Sequence, residues 1–176
     1  LSQSRQARDS RKSPMKRYVL GIDPGVRGAL ALVETVNELP RVKVFDMPIR
    51  TYYINGSGRA RIEEAALNQW FATYAPFIDC AVMEEVHAMP KDGPVQAFTF
   101  GYANGLIKGM LTAYNVAVQM IDPADWKKPF GLSSDKNRSR LVASRFFPQD
   151  DAQWSRKMDD GRAEAALLGI IALQRK

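Results

Sequence analysis

Apolar and polar positions fall in short extended runs over the first third of the chain and in helix-spaced stripes after it. Three runs, Tyr18–Ile22, Ala29–Glu34 and Val42–Met47, predict strands. The short turns between them favour an antiparallel meander, with Gly25 and Gly28 making the tight first turn. Asn55-Gly56-Ser57-Gly58 predicts a loop, followed by a helix from Arg61 to Tyr74 with Ile62, Ala65, Ala66, Gln69, Trp70 and Thr73 at helical spacing. A fourth strand is expected over Asp79–Val86. A loop with Pro90, Gly93 and Pro94 then leads to a long helix, Val95–Tyr114, and to a fifth strand, Val116–Ile121. Asp122 before Pro123 is a helix-start signal. Helices over Lys136–Phe147, stopped by Pro148, and over Asp160–Leu173 complete the chain. The order β-β-β-α-β-α-β-α-α predicts an α/β fold, a five-stranded mixed sheet flanked by helices.

The 176 residues suit one core, assigned to residues 17–176. Residues 1–16 lack apolar periodicity and read as a disordered basic tail or a cloning remnant. The lone Cys80 excludes an internal disulfide framework and a Cys-rich zinc site. No apolar stretch is long enough to span a membrane, and the start lacks the apolar core of a secretory signal. A cytoplasmic protein of a bacterial or phage-infected cell is therefore expected, with an organelle as the alternative. The triplets at Asn55 and Asn137 that match glycosylation sites are then coincidental.

The net charge of +6 is uneven. Six basic residues against Asp9 fall within residues 1–17, and the remainder holds 19 basic and 18 acidic side chains. Basicity alone therefore says little about nucleic acid. A denser stretch, residues 125–162, carries nine basic side chains and is suited to phosphates, or to solvated helix faces.

Asp23 changes the picture. It ends the run Tyr18-Val19-Leu20-Gly21-Ile22 and precedes Pro24-Gly25. A carboxylate beside apolar strand residues is tolerated when it is paired or binds a metal. Glu84 follows Ala81-Val82-Met83 in the same way, and alternation lets only one of Glu84 and Glu85 face the site that Val82 and Val86 face. Asp160 and Glu164, four apart, share one helical face, while Asp159 is an alternate ligand or a helix cap. Together these acids suit a pair of hard divalent cations, Mg²⁺ foremost, of the kind that activate water and stabilise the leaving oxygen in phosphodiester hydrolysis. Each acid alone reads more readily as a solvent-facing side chain.

With these motifs in order, the chain resembles the RuvC family of Holliday junction resolvases, of the RNase H-like superfamily. Gly21-Ile22-Asp23-Pro24-Gly25 resembles the first family motif, and Val82-Met83-Glu84-Glu85-Val86 the second. Pro123-Ala124-Asp125-Trp126-Lys127-Lys128 with Asp135-Lys136 is similar to the lysine-bearing region. Asp159-Asp160-Gly161-Arg162-Ala163-Glu164-Ala165-Ala166-Leu167 resembles the last motif, in the form seen in phage-type and plant chloroplast members. The final acids depart from the bacterial pattern, being four rather than three apart with a glutamate second. That leaves the ligand set around Asp159 and Asp160 open.

The resemblance implies an RNase H-like fold, a homodimer, two Mg²⁺ per site with Mn²⁺ as a substitute, and paired symmetric nicks in four-way junction DNA. It implies Asp23, Glu84, Asp160 and Glu164 as metal ligands, and Lys127 and Lys136 as catalytic lysines. Lys128, Arg138, Arg140 and Arg162 are expected at phosphates and His87 near the junction, with plain surface charge and a surface-loop histidine as the alternatives. Trp126 is expected to anchor the lysine-bearing helix, and Phe98 and Phe100 to pack in the core or a dimer. Gly101, Gly105 and Gly109 form a bare stripe suited either to a second copy or to the chain's own sheet.

Rival readings are another RNase H-like nuclease acting on RNA–DNA hybrids or branched DNA, and a junction-binding protein that does not cut. An actin-like ATPase needs a second duplicated domain, and no Gly-x-x-x-x-Gly-Lys-Ser/Thr loop is present.

Overall fold

The computed structural model of the chain describes residues 17–87, 92–132 and 136–175, with the side chain of Lys136 outside that description. The expected tail, Pro90 and Asp135 also lie outside the described residues. The meander forms as β1 (Tyr18–Asp23), β2 (Ala29–Val36) and β3 (Leu39–Asp46). Then come β4 (Ile49–Ile54), β5 (Ser57–Ile62), α1 (Glu64–Tyr74), β6 (Ile78–Glu84), α2 (Pro94–Ala113) and β7 (Val118–Ile121). The chain closes with α3 (Pro123–Lys127), α4 (Lys136–Phe146) and α5 (Asp160–Gln174).

Five strands make the main sheet, in the order β3-β2-β1-β6-β7. β1 pairs antiparallel with β2 and parallel with β6, and β6 pairs parallel with β7. The expected mixed five-stranded sheet is present. The segment expected as a loop is instead a second, two-stranded sheet of β4 and β5, in register from Ile49–Ile62 to Ile54–Ser57. Its turn has positive φ at Asn55 (50°) and Gly56 (77°), the backbone that a two-residue hairpin with native twist requires. β5 also displaces the start of α1 from Arg61 to Glu64.

β1 sorts its side chains to two sides of the sheet. Leu20 and Ile22 join a core with Met83 of β6, Leu67 and Phe71 of α1 and Ile107 and Leu111 of α2. Val19 joins the opposite core with Val82, Trp126, Phe147 and the apolar residues of α5. Burying a large aliphatic side chain contributes roughly 1.5–3 kcal/mol, so both faces hold β1 at the centre. The apolar stripe of α1 was misassigned by spacing: Leu67 and Phe71 are buried, while Ala65, Ala66, Gln69 and Thr73 are exposed.

α5 is apolar on nearly every side and lies across β1. The crossing is close because Gly21 has no side chain. A Cβ there would stand 2.0 Å from the Ala165 carbonyl oxygen and 2.3 Å from the Gly169 nitrogen. Asp23 lies two residues along the same strand, on the side Gly21 presents to α5.

α2 runs along the other side of the sheet. A Cβ added at Gly101, Gly105 or Gly109 would meet nothing within 4 Å, so the stripe is not packed on the chain's own sheet. Phe98 is 62% exposed and is not a core residue. No helix among the described residues is long and apolar enough to cross a membrane.

Candidate active site

The C-terminal ends of the parallel strands β1 and β6 open onto the site. Their register pairs Ile22 with Met83, so Asp23 and Glu84 are the next residues on adjacent strands. Beyond Asp23 the chain turns sharply, Gly28 N–H donating to the Gly25 carbonyl at 2.8 Å. A Cβ at Gly28 would come within 2.1 Å of the Asp23 carbonyl oxygen. Asp23 Oδ1 accepts a long bond, 3.4 Å, from Gly25 N–H. On the far side, a Cβ at Gly161 would stand 2.9 Å from Asp23 Oδ2, so the start of α5 presses against this carboxylate.

Glu84 and Glu164 are joined through one cation. Lys127 Nζ lies 3.3 Å from Glu84 Oε2 and 3.0 Å from Glu164 Oε2. Asp122 caps α3 by accepting from Ala124 N–H at 2.7 Å, and buried Trp126 anchors the helix that carries Lys127. The indole contributes more than packing, since Trp126 Nε1–H donates to Glu84 Oε2 at 2.8 Å. Glu164 has its own neutral donor, Ser139 of α4, whose hydroxyl lies 3.0 Å from Oε1. Sequence reasoning passed over Ser139. It is buried with Val142 and Ala143 on one face of α4, which only the structure shows.

The electrostatics follow from three carboxylates sharing one ammonium. Burial, then repulsion from Glu164 and Glu84, pushes the Asp23 carboxyl up to about 7, against smaller downward pulls from Gly25 N–H and Lys127. Burial also raises Glu84, which Lys127 and the Trp126 indole partly offset. For Lys127 burial is the largest single influence and acts downward. Glu164 and Glu84 together outweigh it, and the ammonium is held above its ordinary value.

Asp159 and Asp160 have different surroundings. Asp159 is 4% exposed and is bound by Arg156, with the backbone N–H on Oδ2 at 2.9 Å and Nη2 on Oδ1 at 2.7 Å. Burial acts to raise its carboxyl, but the Arg156 contacts prevail and hold it low. It stands at the cap position of α5 without a capping bond from its side chain. Asp160, the first residue of α5, is half-buried. A cleft of about 920 Å³ runs past Asp23, Lys127, Asp159, Asp160 and Glu164.

The cations expected at phosphates divide in the same way. Arg162 clamps α5 to the end of β3, with Nε on Asp46 Oδ1 at 2.6 Å and Nη1 on the Gln153 carbonyl at 3.0 Å. Arg140 donates to the Ser155 carbonyl at 3.1 Å and to Asn137 Oδ1 at 2.6 Å. Both arginines thus have partners within the chain, at positions that are partly exposed. Lys128, Arg138 and His87 are exposed. Lys136 begins α4, and its side chain lies outside the described residues. The hairpin adds basic and aromatic side chains that the sequence reading left out: Arg50, Arg59, Arg61, Tyr52 and Tyr53. Arg61 lies 5.6 Å from the Tyr52 ring centre and 5.8 Å from that of Phe98.

The candidate ligands here are all hard carboxylate oxygens, which suit Mg²⁺ or Mn²⁺ chemically. Yet no three acidic, histidine or cysteine side chains among the described residues are grouped closely enough to hold a metal.

No family model matches the chain. The Holliday junction resolvase MOC1, chloroplastic, of Chlamydomonas reinhardtii is 31% identical over 87 residues, 48% of this chain and 10% of that protein. The chain thus spans about a tenth of the curated relative it matches. Among solved structures, Thermus thermophilus RuvC in complex with Holliday junction substrate superposes with a TM-score of 0.58 at 14% identity. That match covers 90% of this chain and 96% of RuvC. The yeast mitochondrial Holliday junction resolvase Ydc2 gives 0.54 at 19% identity, covering 92% and 79%. The fold is RNase H-like, with the mixed five-stranded sheet and flanking helices of RuvC-type structures.

Proposed function

We propose that this chain is a divalent-metal endonuclease that resolves four-way DNA junctions by paired, symmetric nicks. The observation that carries the reading is the gathering of Asp23, Glu84, Glu164 and Lys127 where β1, β6, α3 and α5 meet in a RuvC-type fold. Asp23, Glu84, Asp160 and Glu164 would hold two Mg²⁺ per site, with Mn²⁺ as a substitute. Such ions supply an activated water and stabilise the leaving oxygen.

The chain's own part is placement. β1 and β6 fix the two strand acids, α5 brings Glu164 to them, and Asp160 at the first position of α5 lines the same cleft. Trp126 and Ser139 aim the two glutamates, as partners of metal-binding carboxylates do. Lys127 and Lys136 are assigned to the scissile phosphate and its developing charge. Asp159 is assigned to holding the start of α5 rather than to metal. Lys128, Arg138 and His87, together with the arginines of the hairpin, are assigned to junction DNA. Arg140 and Arg162 act as structural clamps. A homodimer seated on the bare glycine stripe of α2 would give a two-fold substrate two active sites.

The deciding experiment is a cleavage assay with Mg²⁺ on a mobile four-way junction, a linear duplex and an RNA–DNA hybrid. Symmetric nicks on opposed strands of the junction are expected. Preferential cutting of the hybrid would assign the fold to hybrid hydrolysis, and junction binding without nicks would leave a non-cleaving binder.

A further inference from the structure

We infer that Lys127 is a resident counter-ion, holding Glu84 and Glu164 together in the metal-free chain and giving up that place when a divalent cation enters. The inference rests on the metal-nuclease reading of the same acids. Its geometric basis is that two of the carboxylates suited to Mg²⁺ are gathered around one ammonium, at 3.3 and 3.0 Å. A lysine ammonium is a compact charge with three rotatable donors, the side chain closest in character to a small cation. One positive charge among three carboxylates is too little, whereas a divalent ion answers the excess better.

The local build favours such an exchange. The backbone of Lys127 is fixed by the Asp122 cap and by buried Trp126. Its side chain is 30% exposed, borders the cleft, and has the Trp126 ring 5.0 Å away to slide along. The two glutamates keep neutral donors of their own, Trp126 and Ser139, so they stay oriented when the ammonium leaves. The released ammonium is then free for a phosphate, which couples metal loading to substrate capture in one residue.

The test is Mn²⁺ binding to the full chain without DNA, followed by electron paramagnetic resonance, for wild type, Lys127→Met, Lys127→Arg and Asp23→Asn. Lys127→Met should bind Mn²⁺ about tenfold more tightly, the size of one nearby charge removed from a competing position. Lys127→Arg should stay near wild type. Equal or weaker binding by Lys127→Met, with wild type binding and Asp23→Asn failing to bind, would overturn the inference and leave the metal-nuclease reading intact. No binding by any of the chains would overturn both. A second measurement needs no variant: lysine acylation of wild type, read by mass spectrometry. Saturating Mg²⁺ should speed labelling of Lys127 several-fold and leave Lys128 unchanged, and unchanged or slower labelling of Lys127 contradicts the exchange.

Discussion

Trp126 and Glu84 lie 42 residues apart and meet at one hydrogen bond, indole Nε1–H to Oε2 at 2.8 Å. The same Oε2 faces Lys127, so a neutral donor and a cation act on one oxygen. Removing the neutral donor alone is therefore informative. Trp126→Phe keeps most of the packing and loses the N–H. Cleavage is expected to fall about 10- to 100-fold, the usual cost of losing a partner behind a metal-binding carboxylate. Far-UV circular dichroism should be unchanged, and a matching fall in metal affinity, read by calorimetry, identifies orientation as the cause.

Asp23 gives a pH signature. Its carboxyl is raised to about 7 in the folded chain, so folded and unfolded forms are both protonated below about pH 4. As pH rises from there toward 7 the unfolded chain releases its proton first, and stability is lost across that window. Without divalent metal, Tm should fall by about 5 °C or more from pH 5 to pH 8 on this account. Asp23→Asn should flatten that fall, bind junctions normally in a gel-shift assay, and cleave at least about a thousandfold more slowly. A wild-type Tm that rises with pH in chelator would contradict the assignment.

The glycines separate fold from site. Gly21→Ala drives a Cβ into the backbone of Ala165 and Gly169, which cannot move aside as a side chain does. A loss of about 3 kcal/mol or more is expected in urea unfolding. Gly161→Ala meets the Arg27 carbonyl oxygen at 2.4 Å and Asp23 Oδ2 at 2.9 Å. The Arg27 contact is with backbone, so stability should fall here as well. Only Gly161→Ala also presses on Asp23, and its folded fraction should cleave more slowly than that of Gly21→Ala when both variants are compared in both assays.

Asp159 and Asp160 should part in the same pair of measurements. Asp159→Asn weakens the buried contacts with Arg156, so unfolding should shift by about 1–3 kcal/mol with metal affinity preserved. Asp160→Asn should leave stability within about 0.5 kcal/mol and lower Mn²⁺ affinity and cleavage. The reverse pattern would exchange their roles.

The sheet was legible because its strands carry apolar runs with short turns, and Asp23 and Glu84 stood out because each ends such a run. Helical spacing paired Asp160 with Glu164, and of the two it is Glu164 that lies at the Lys127 ammonium. The hairpin β4–β5 was missed although Ile49, Thr51, Tyr52, Tyr53 and Ile54 suit strands. Both of its faces are largely exposed, so it shows no alternation of apolar and polar positions. The intramolecular partners of Arg140 and Arg162 were not legible for a different reason. Their partners are the Ser155 carbonyl and Asp46, brought close only by tertiary packing, and a local cluster of positive charge looks the same whether it faces phosphate or folds inward. Ser139 was hidden for the same cause, being defined by Glu164 on another helix.

β1 sends Leu20 and Ile22 toward α1 and α2, and Val19 and Gly21 toward α5, so the carboxylates and the glycine face of α2 are on opposite sides of one sheet. Substitutions on the outer face of α2 thus have no direct contact with the acids, and any influence must pass through the strands. A dimer seated on the glycine face and the proposed chemistry of the acids could accordingly be altered independently, by selection or by design.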